Sequence, residues 1–482
     1  MGFMGAQLPV QASIQSLQFF NGDIEPWIRM QSQRSISLLI KNIHPEGSAP
    51  GAVVASPSRV NPDYWFHWTR DAALVMQIFV SGYANSKTPE QKNYTTSLLR
   101  NYLNFSHANQ LTPNPSGGVG EPKFNVDGSA FTGPWGRPQN DGPALRALTF
   151  LHWAATLIAE GRINFVREYL YDGQSPSRTV IKADLDYVAS RWNEPDFDLW
   201  EEVKGRHFHT RMVQRRALLE GARLAELLGD TQTAEWYRLN ALTLSRELLR
   251  HWNPERRILI ANLDVMAGHA VKTSGLDTSV ILGVLQGEVG DPFFAPTSDQ
   301  VVSTAFSLQR AFYNLYSVNR LNDYPGIGIG RYPEDRYDGY QTNGSGNPWF
   351  LTTLAFAQYY FRLANLWEKA PGILVSEWNY PLLQYVAEDA SFVVGTKIEK
   401  GCEDFNKILT GLRKAGDSFL LRVRMHMDQQ NGFMSEQFNR DSGFMQGAEH
   451  LTWSYASFLT AVWERAKVPT RSLLQRPNTF RK

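Results

Sequence analysis

Residues 208–230, FHTRMVQRRALLEGARLAELLGD, and the run that follows at 231–252, TQTAEWYRLNALTLSRELLRHW, decide the fold of this chain. Apolar side chains recur at helical spacing through the first run, Gly229 closes it, and the second run returns until Asn253-Pro254 stops it. Two helices joined by so short a turn pack antiparallel, as an αα-hairpin. The same pattern extends outward in both directions. Helices that read as apolar nearly all round start at Asp71, Asp141, His207, Asp277 and Asn347, at intervals of about 66 to 70 residues, and another starts at His450. Each interval holds two helices and two loops. The predicted partners are 89–106, 177–192, 231–252, 299–318 and, in the last interval, 380–390 with 403–427; a first amphipathic helix occupies 27–42. Asp277 and Asn347 are expected to cap their helices, with Pro348 at a first position. Six hairpins in sequence predict an all-α closed toroid with an inner and an outer ring. Residues 27–470 form one domain, between a segment at 1–26 and a tail at 471–482. The long Gly/Pro/aromatic loops precede the inner helices, so they gather at one end, where a pocket belongs.

Composition excludes several classes of function. The 482 residues are 43% hydrophobic and 20% charged, the signature of an ordinary globular chain. Forty-eight basic against 47 acidic residues give a formal charge of +1, so net charge recruits neither nucleic acid nor an anionic membrane. A neutral partner fits, and 14 Trp, 19 Tyr and 27 Phe suit ligands with flat apolar faces edged by hydroxyls, as sugars have. A single cysteine, Cys402, excludes an internal disulfide and a Cys-based zinc site, and reads as a small buried hydrophobe. No run of about 18 apolar residues spans a membrane, and residues 1–9 lack the pattern of a signal peptide. Position 6 is Ala, which excludes myristoylation at Gly2. Sequons at Asn93, Asn104 and Asn343 are compatible with secretion. The chain has no Gly-x-Ser-x-Gly elbow, His-Glu-x-x-His pair, Walker loop or Rossmann fingerprint.

The chemistry concentrates in the loops. Asp198-Leu199-Trp200-Glu201-Glu202 crowds three carboxylates around an indole. Mutual repulsion beside apolar groups would raise a pKa and make a general acid, whereas an acidic run opening a helix would satisfy the macrodipole. Tyr64-Trp65-Phe66-His67-Trp68-Thr69-Arg70-Asp71 offers aromatic walls and then a cation beside an anion, and Trp135 to Asp141 has the same style. The alternating glycines before Arg331 do not cradle phosphate, because no helix follows and Pro333 intervenes. Glu436 is a lone carboxylate in Gly432-Phe433-Met434-Ser435-Glu436-Gln437-Phe438; on its own such a residue reads as surface.

Taken together these loops, with Gly330 to Asp335, Asn347-Pro348-Trp349-Phe350 and Leu451-Thr452-Trp453-Ser454-Tyr455, resemble in order the fungal glucoamylases of glycoside hydrolase family 15, over roughly residues 33–465. The resemblance implies an (α/α)6 barrel and exo-acting, inverting hydrolysis of terminal α-1,4-linked and, more slowly, α-1,6-linked glucose from starch-like or glycogen-like glucans, releasing β-D-glucose. It implies that Glu201 is the general acid and Glu436 the general base. Arg70, Asp71 and Arg331 would bind the terminal glucose and Glu202 the next unit. Tyr64, Trp135, Trp200 and Trp453 would form walls, and Leu199 would offer its carbonyl. No cofactor or metal is implied, and a monomer acting on α-glucan is expected. A trehalase-type hydrolase on the same barrel and a non-catalytic glucan-binding protein are the alternatives.

Three departures from the family pattern carry expectations of their own. The chain ends at Lys482 without a Ser/Thr-rich linker or starch-binding module, which leaves granular starch outside its expected reach. The lone cysteine resembles yeast-type or intracellular forms, while a secretory destination, vacuolar or secreted, is favoured. Gly447 stands where the filamentous-fungal pattern has a Ser that donates to the base carboxylate. Loss of that donor predicts a raised pKa for Glu436, and Gly447→Ser is expected to lower it.

Overall fold

The computed structural model describes residues 24–320 and 326–468. The expected hairpin is present. Phe208–Leu228 is closed by Gly229 at φ 89°, a left-handed conformation that glycine adopts without strain, and the Asp230 side chain then accepts from Thr233 N to start Thr231–Leu248.

An inner ring of six helices is built from such units. Thr69–Ala84 packs on Asp141–Ala159, then follow Phe208–Leu228, Ser279–Gly287, Phe350–Lys369 and Thr452–Arg465, and the last returns to the first. Pro89–Leu111, Val180–Arg191, Thr231–Leu248, Asp299–Leu315 and Glu403–His426 back the first five. The resulting (α/α)6 barrel differs from the predicted toroid in one respect. Five hairpins run in chain order, but the sixth joins the ends, because Ile24–Lys41 backs Thr452–Arg465. Trp27 stacks edge-on to Phe458 at 5.4 Å, and Asn42 Nδ2 donates to Thr452 Oγ1 at 2.8 Å. Closing the ring therefore brings together helices from opposite ends of the described chain.

The inner helices are buried almost all round, and their polar side chains tie helix to helix. Arg146 grips Asp184 of the outer helix behind it through two hydrogen bonds of 2.9 and 2.6 Å, and Thr149 donates to Ala73 O of the neighbouring inner helix. Both members of the Arg146–Asp184 pair are buried, so the geometry has to offset their desolvation.

Some expectations fail in detail. Asn347 does not cap the helix after it: its side chain donates to Gln437 Oε1 and Asp338 O and accepts from Arg440 N, while Phe350–Lys369 starts after Trp349 with no side-chain cap. Cys402 is exposed, and its sulfur accepts from Phe405 N at the start of Glu403–His426. Residues 198–202 do not open a helix. They form the tip between Asp196–Phe197 and Val203–His207, antiparallel strands extended by Asn262–Gly268. Residues 1–23 of the expected N-terminal segment and the whole expected tail lie outside the described residues. Among the described residues no helix is long and apolar enough to cross a membrane.

Candidate active site

A pocket of about 360 Å³ opens at the end of the barrel where the long loops gather. Every site residue named from the sequence lines it: Glu201, Glu436, Tyr64, Arg70, Asp71, Trp135, Leu199, Trp200, Glu202, Arg331 and Trp453. The inner helix Thr69–Ala84 carries Arg70 and Asp71 in its first turn, Thr452–Arg465 carries Trp453 in its first turn, and the strand-connecting tip carries 199–202.

The three acids of the tip do different things. Asp198 is a staple: Oδ1 accepts from Glu202 N at 2.8 Å and Val203 N at 3.1 Å, and Oδ2 from Lys272 Nζ at 2.8 Å. Burial alone would raise its pKa, but the Lys272 ammonium and these donors hold it at about 2. Mutual repulsion therefore does not govern this residue. Lys272 also donates to Asp277, whose other oxygen accepts from Trp200 Nε1, which fixes the indole. Glu202 is committed on both oxygens, to Arg331 at 2.7 Å and Tyr332 at 2.6 Å. Its pKa is raised by burial, against the pull of Arg331 and Lys272.

Glu201 is the acid with an oxygen to spare. Trp68 Nε1 donates to its Oε1 at 2.7 Å and Gln139 Nε2 at 3.1 Å, and Arg70 approaches the same oxygen at 3.7 Å. Oε2 has no partner among the described residues, and the side chain is 19% exposed at the pocket surface. The backbone holds φ at 68°, costly for a residue with a Cβ, and the turn is closed by Glu201 N donating to Asp198 O.

Glu436 is wholly buried, not at the surface as its lone carboxylate suggested. Tyr64 donates to Oε1 at 2.8 Å and Gln437 Nε2 to Oε2 at 3.2 Å, and Tyr337 lies 3.0 Å from the Tyr64 hydroxyl. Burial pushes its pKa up to about 7, against Tyr64, Arg331 and Tyr337, which favour the charged form. Gly447 faces this carboxylate at φ 75°, and a Cβ built there would overlap Glu436 Oε2. The expected donor of Gly447→Ser therefore comes with an overlap, since the new β-carbon reaches the carboxylate oxygen as well.

Ahead of both carboxylates in sequence, an anion–cation pair suited to hydroxyl groups lines the same pocket. Arg70 is buried and reaches Gln139 at 2.9 Å, Asp141 at 3.3 Å and Asp71 at 3.3 Å. Asp71 Oδ2 is buried without a hydrogen-bond donor among the described residues. Burial raises the Asp71 pKa to about 6 in spite of Arg70. Arg331 forks onto Asp335 with bonds of 2.8 and 2.6 Å.

Sequence reasoning gave no role to Trp68, Gln139, Tyr337, Trp349, His269 or Lys272. The first two stand in motifs already singled out, as does Trp349. Tyr337, His269 and Lys272 come from connecting stretches that carry no signal at all. Among the described residues no cluster of three or more His, Cys, Asp or Glu could hold a metal ion.

Comparison with known proteins follows the same outline. The family model described as glycosyl hydrolases family 15 matches residues 33–463. A glucoamylase of Blastobotrys adeninivorans is 41% identical over 461 residues, covering 93% of this chain and 73% of the relative. A Saccharomycopsis fibuligera glucoamylase is 35% identical, covering 92% and 91%. Among solved structures, the family 15 glucoamylase from Hypocrea jecorina superposes with a TM-score of 0.84 at 31% identity, covering 95% of this chain and 76% of that one. The glucoamylase of Saccharomycopsis fibuligera gives 0.80 at 33%, covering 92% and 96%. With the match spanning the barrel and every loop of the pocket, this chain belongs to glycosyl hydrolase family 15.

Proposed function

We propose that this chain is a glucoamylase, a glycoside hydrolase that removes single glucose units from the non-reducing ends of α-1,4-linked and, more slowly, α-1,6-linked glucans with inversion, releasing β-D-glucose. The observation that carries the reading is a pair of carboxylates from sequence-distant loops, Glu201 and Glu436, lining one aromatic-walled pocket in two different states of commitment. Glu201 acts as the general acid. Its bonds load one oxygen, and the free oxygen carries the proton to the glycosidic oxygen. Glu436 acts as the general base. Its hydrogen bonds are donations from Tyr64 and Gln437, which suit the ionised form that takes a proton from water. In an inverting pair that water occupies the gap between the carboxylates, on the sugar face away from the leaving group.

The other residues hold the chain end. Arg70, Asp71 and Arg331 bind hydroxyls of the terminal glucose, Glu202 binds the neighbouring unit, and Leu199 offers its carbonyl. Tyr64, Trp135, Trp200 and Trp453 cover the sugar's apolar faces. The enzyme needs no cofactor and works as a monomer. Glucose released from maltotriose but not from trehalose is the expected result of a coupled glucose assay. Release from trehalose alone would move the reading to a trehalase-type hydrolase, and binding without release to a glucan-binding protein.

A further inference from the structure

Behind the wall that faces Glu201, a lysine is enclosed by rings. Lys123 Nζ lies 3.7 Å from the Trp135 ring centroid, 4.0 Å from Phe66, 4.2 Å from Phe131 and 4.5 Å from Trp68. The residue is 2% exposed, and among the described residues no carboxylate or carbonyl bonds or ion-pairs with its ammonium. A buried cation without an anion is costly. Here ring faces replace the missing partner, since each presents negative quadrupole to the charge. The cage is also registered in the backbone: Lys123–Phe124 pairs antiparallel with His67–Trp68, and Trp68 stands opposite Lys123.

The cage connects directly to the chemistry. Trp68 is the indole that donates to Glu201 at 2.7 Å, and Trp135 is the half-exposed wall beside it, with centroids 5.9 Å apart. We propose that Lys123 is a positioning residue of the acid: its caged ammonium fixes the Trp68 and Trp135 rings and polarises the Trp68 N–H toward Glu201. The charged groups facing the ammonium are Glu201 and Asp63, which favour its charge, and Arg137, which opposes it; Arg137 is itself paired with Glu121. Burial pulls the lysine pKa down to about 8, so the cation is present at neutral pH and the rings bear the desolvation.

A general acid must be protonated, and both a nearby cation and a donated N–H favour its ionised form. Without Lys123 both influences are weakened, and the basic limb of kcat/KM moves to higher pH. The proposal rests on the role assigned above to Glu201, so its test includes a readout free of activity. Lys123→Met, Lys123→Gln and Lys123→Arg are compared with the unaltered chain by pH–rate profiles on maltotriose and by the Trp68 indole N–H resonance in 15N-tryptophan-labelled protein, assigned through Trp68→Phe. Lys123→Met and Lys123→Gln are expected to lower kcat about tenfold, displace the limb upward and shift the Trp68 resonance, while Lys123→Arg restores all three within about twofold. An unmoved resonance in folded Lys123→Gln, or an unmoved limb with kcat reduced, overturns the proposal. A chain that releases no glucose before substitution overturns the functional reading instead, and the resonance still decides whether Lys123 positions Trp68.

Discussion

Glu201 sits at the tip of a strand connection, with a left-handed backbone, partial exposure and a single loaded oxygen; Glu436 is sealed beneath Tyr64 and Tyr337 with donors on both oxygens and a glycine pressed against it. The first is held by its backbone turn and by charges beyond its neighbours, Asp198 and Lys272 above all. The second is held by packing. One pocket thus obtains its two proposed catalytic carboxylates from opposite kinds of support.

The largest effect separates the duties themselves. Glu201→Gln and Glu436→Gln should each lower kcat on maltotriose by about 10²–10⁴-fold. With a nitrophenyl α-glucoside, whose leaving group departs without a proton, Glu201→Gln should recover much of its rate and Glu436→Gln none. Recovery in the opposite variant would exchange the two roles.

Lys272→Met probes the support of the acid's tip. It leaves Asp198 and Asp277 buried without their cation, and a loss of about 3–5 kcal/mol in unfolding free energy is expected from calorimetry. A loss below about 1 kcal/mol would mean that the backbone donors alone hold the tip.

On the base side, Gly447→Ala introduces a Cβ at positive φ against Glu436. A cost of about 1–3 kcal/mol is expected in denaturant titration. Gly447→Ser should behave alike and lose kcat. If it keeps kcat and moves the acidic limb downward, the carboxylate has room that the packing denies.

The smallest effect concerns titration. A base must be ionised, so with Glu436 at about 7 the free-enzyme kcat/KM should fall as pH drops through that value. Tyr64 donates to the charged form, and Tyr64→Phe should move the limb upward by up to about one unit, about 1.4 kcal/mol. A limb that moves down would place the hydroxyl proton elsewhere.

Much of this arrangement was legible in the sequence because helical spacing and loop chemistry are local. Gly229 and the run before it announce the hairpin, and the loops that hold Arg70, Trp135, Glu201 and Trp453 display their aromatic and charged residues in order. What is set by distant partners was not legible. The pairing of Ile24–Lys41 with Thr452–Arg465 spans nearly the whole chain, and nothing within either helix names the other. Asn347 has the residue type of a cap, yet Gln437 and Arg440 claim its side chain. Val203–His207 alternates buried and half-buried positions, but with Lys204 and Arg206 on one side and Gly205 on the other the alternation is too weak to read as a strand. Glu436 looked like surface because burial of a lone carboxylate depends on Tyr64, 372 residues away, a partner that only the closed ring supplies.

In the proposed mechanism Glu201 protonates the leaving oxygen while Glu436 activates water for attack on the other face of the sugar. Proton NMR of the first products from maltoheptaose, resolved by anomer, tests it most directly. β-glucose alone at early times is the predicted result; α-glucose, or a mixture of shorter oligosaccharides, would contradict it.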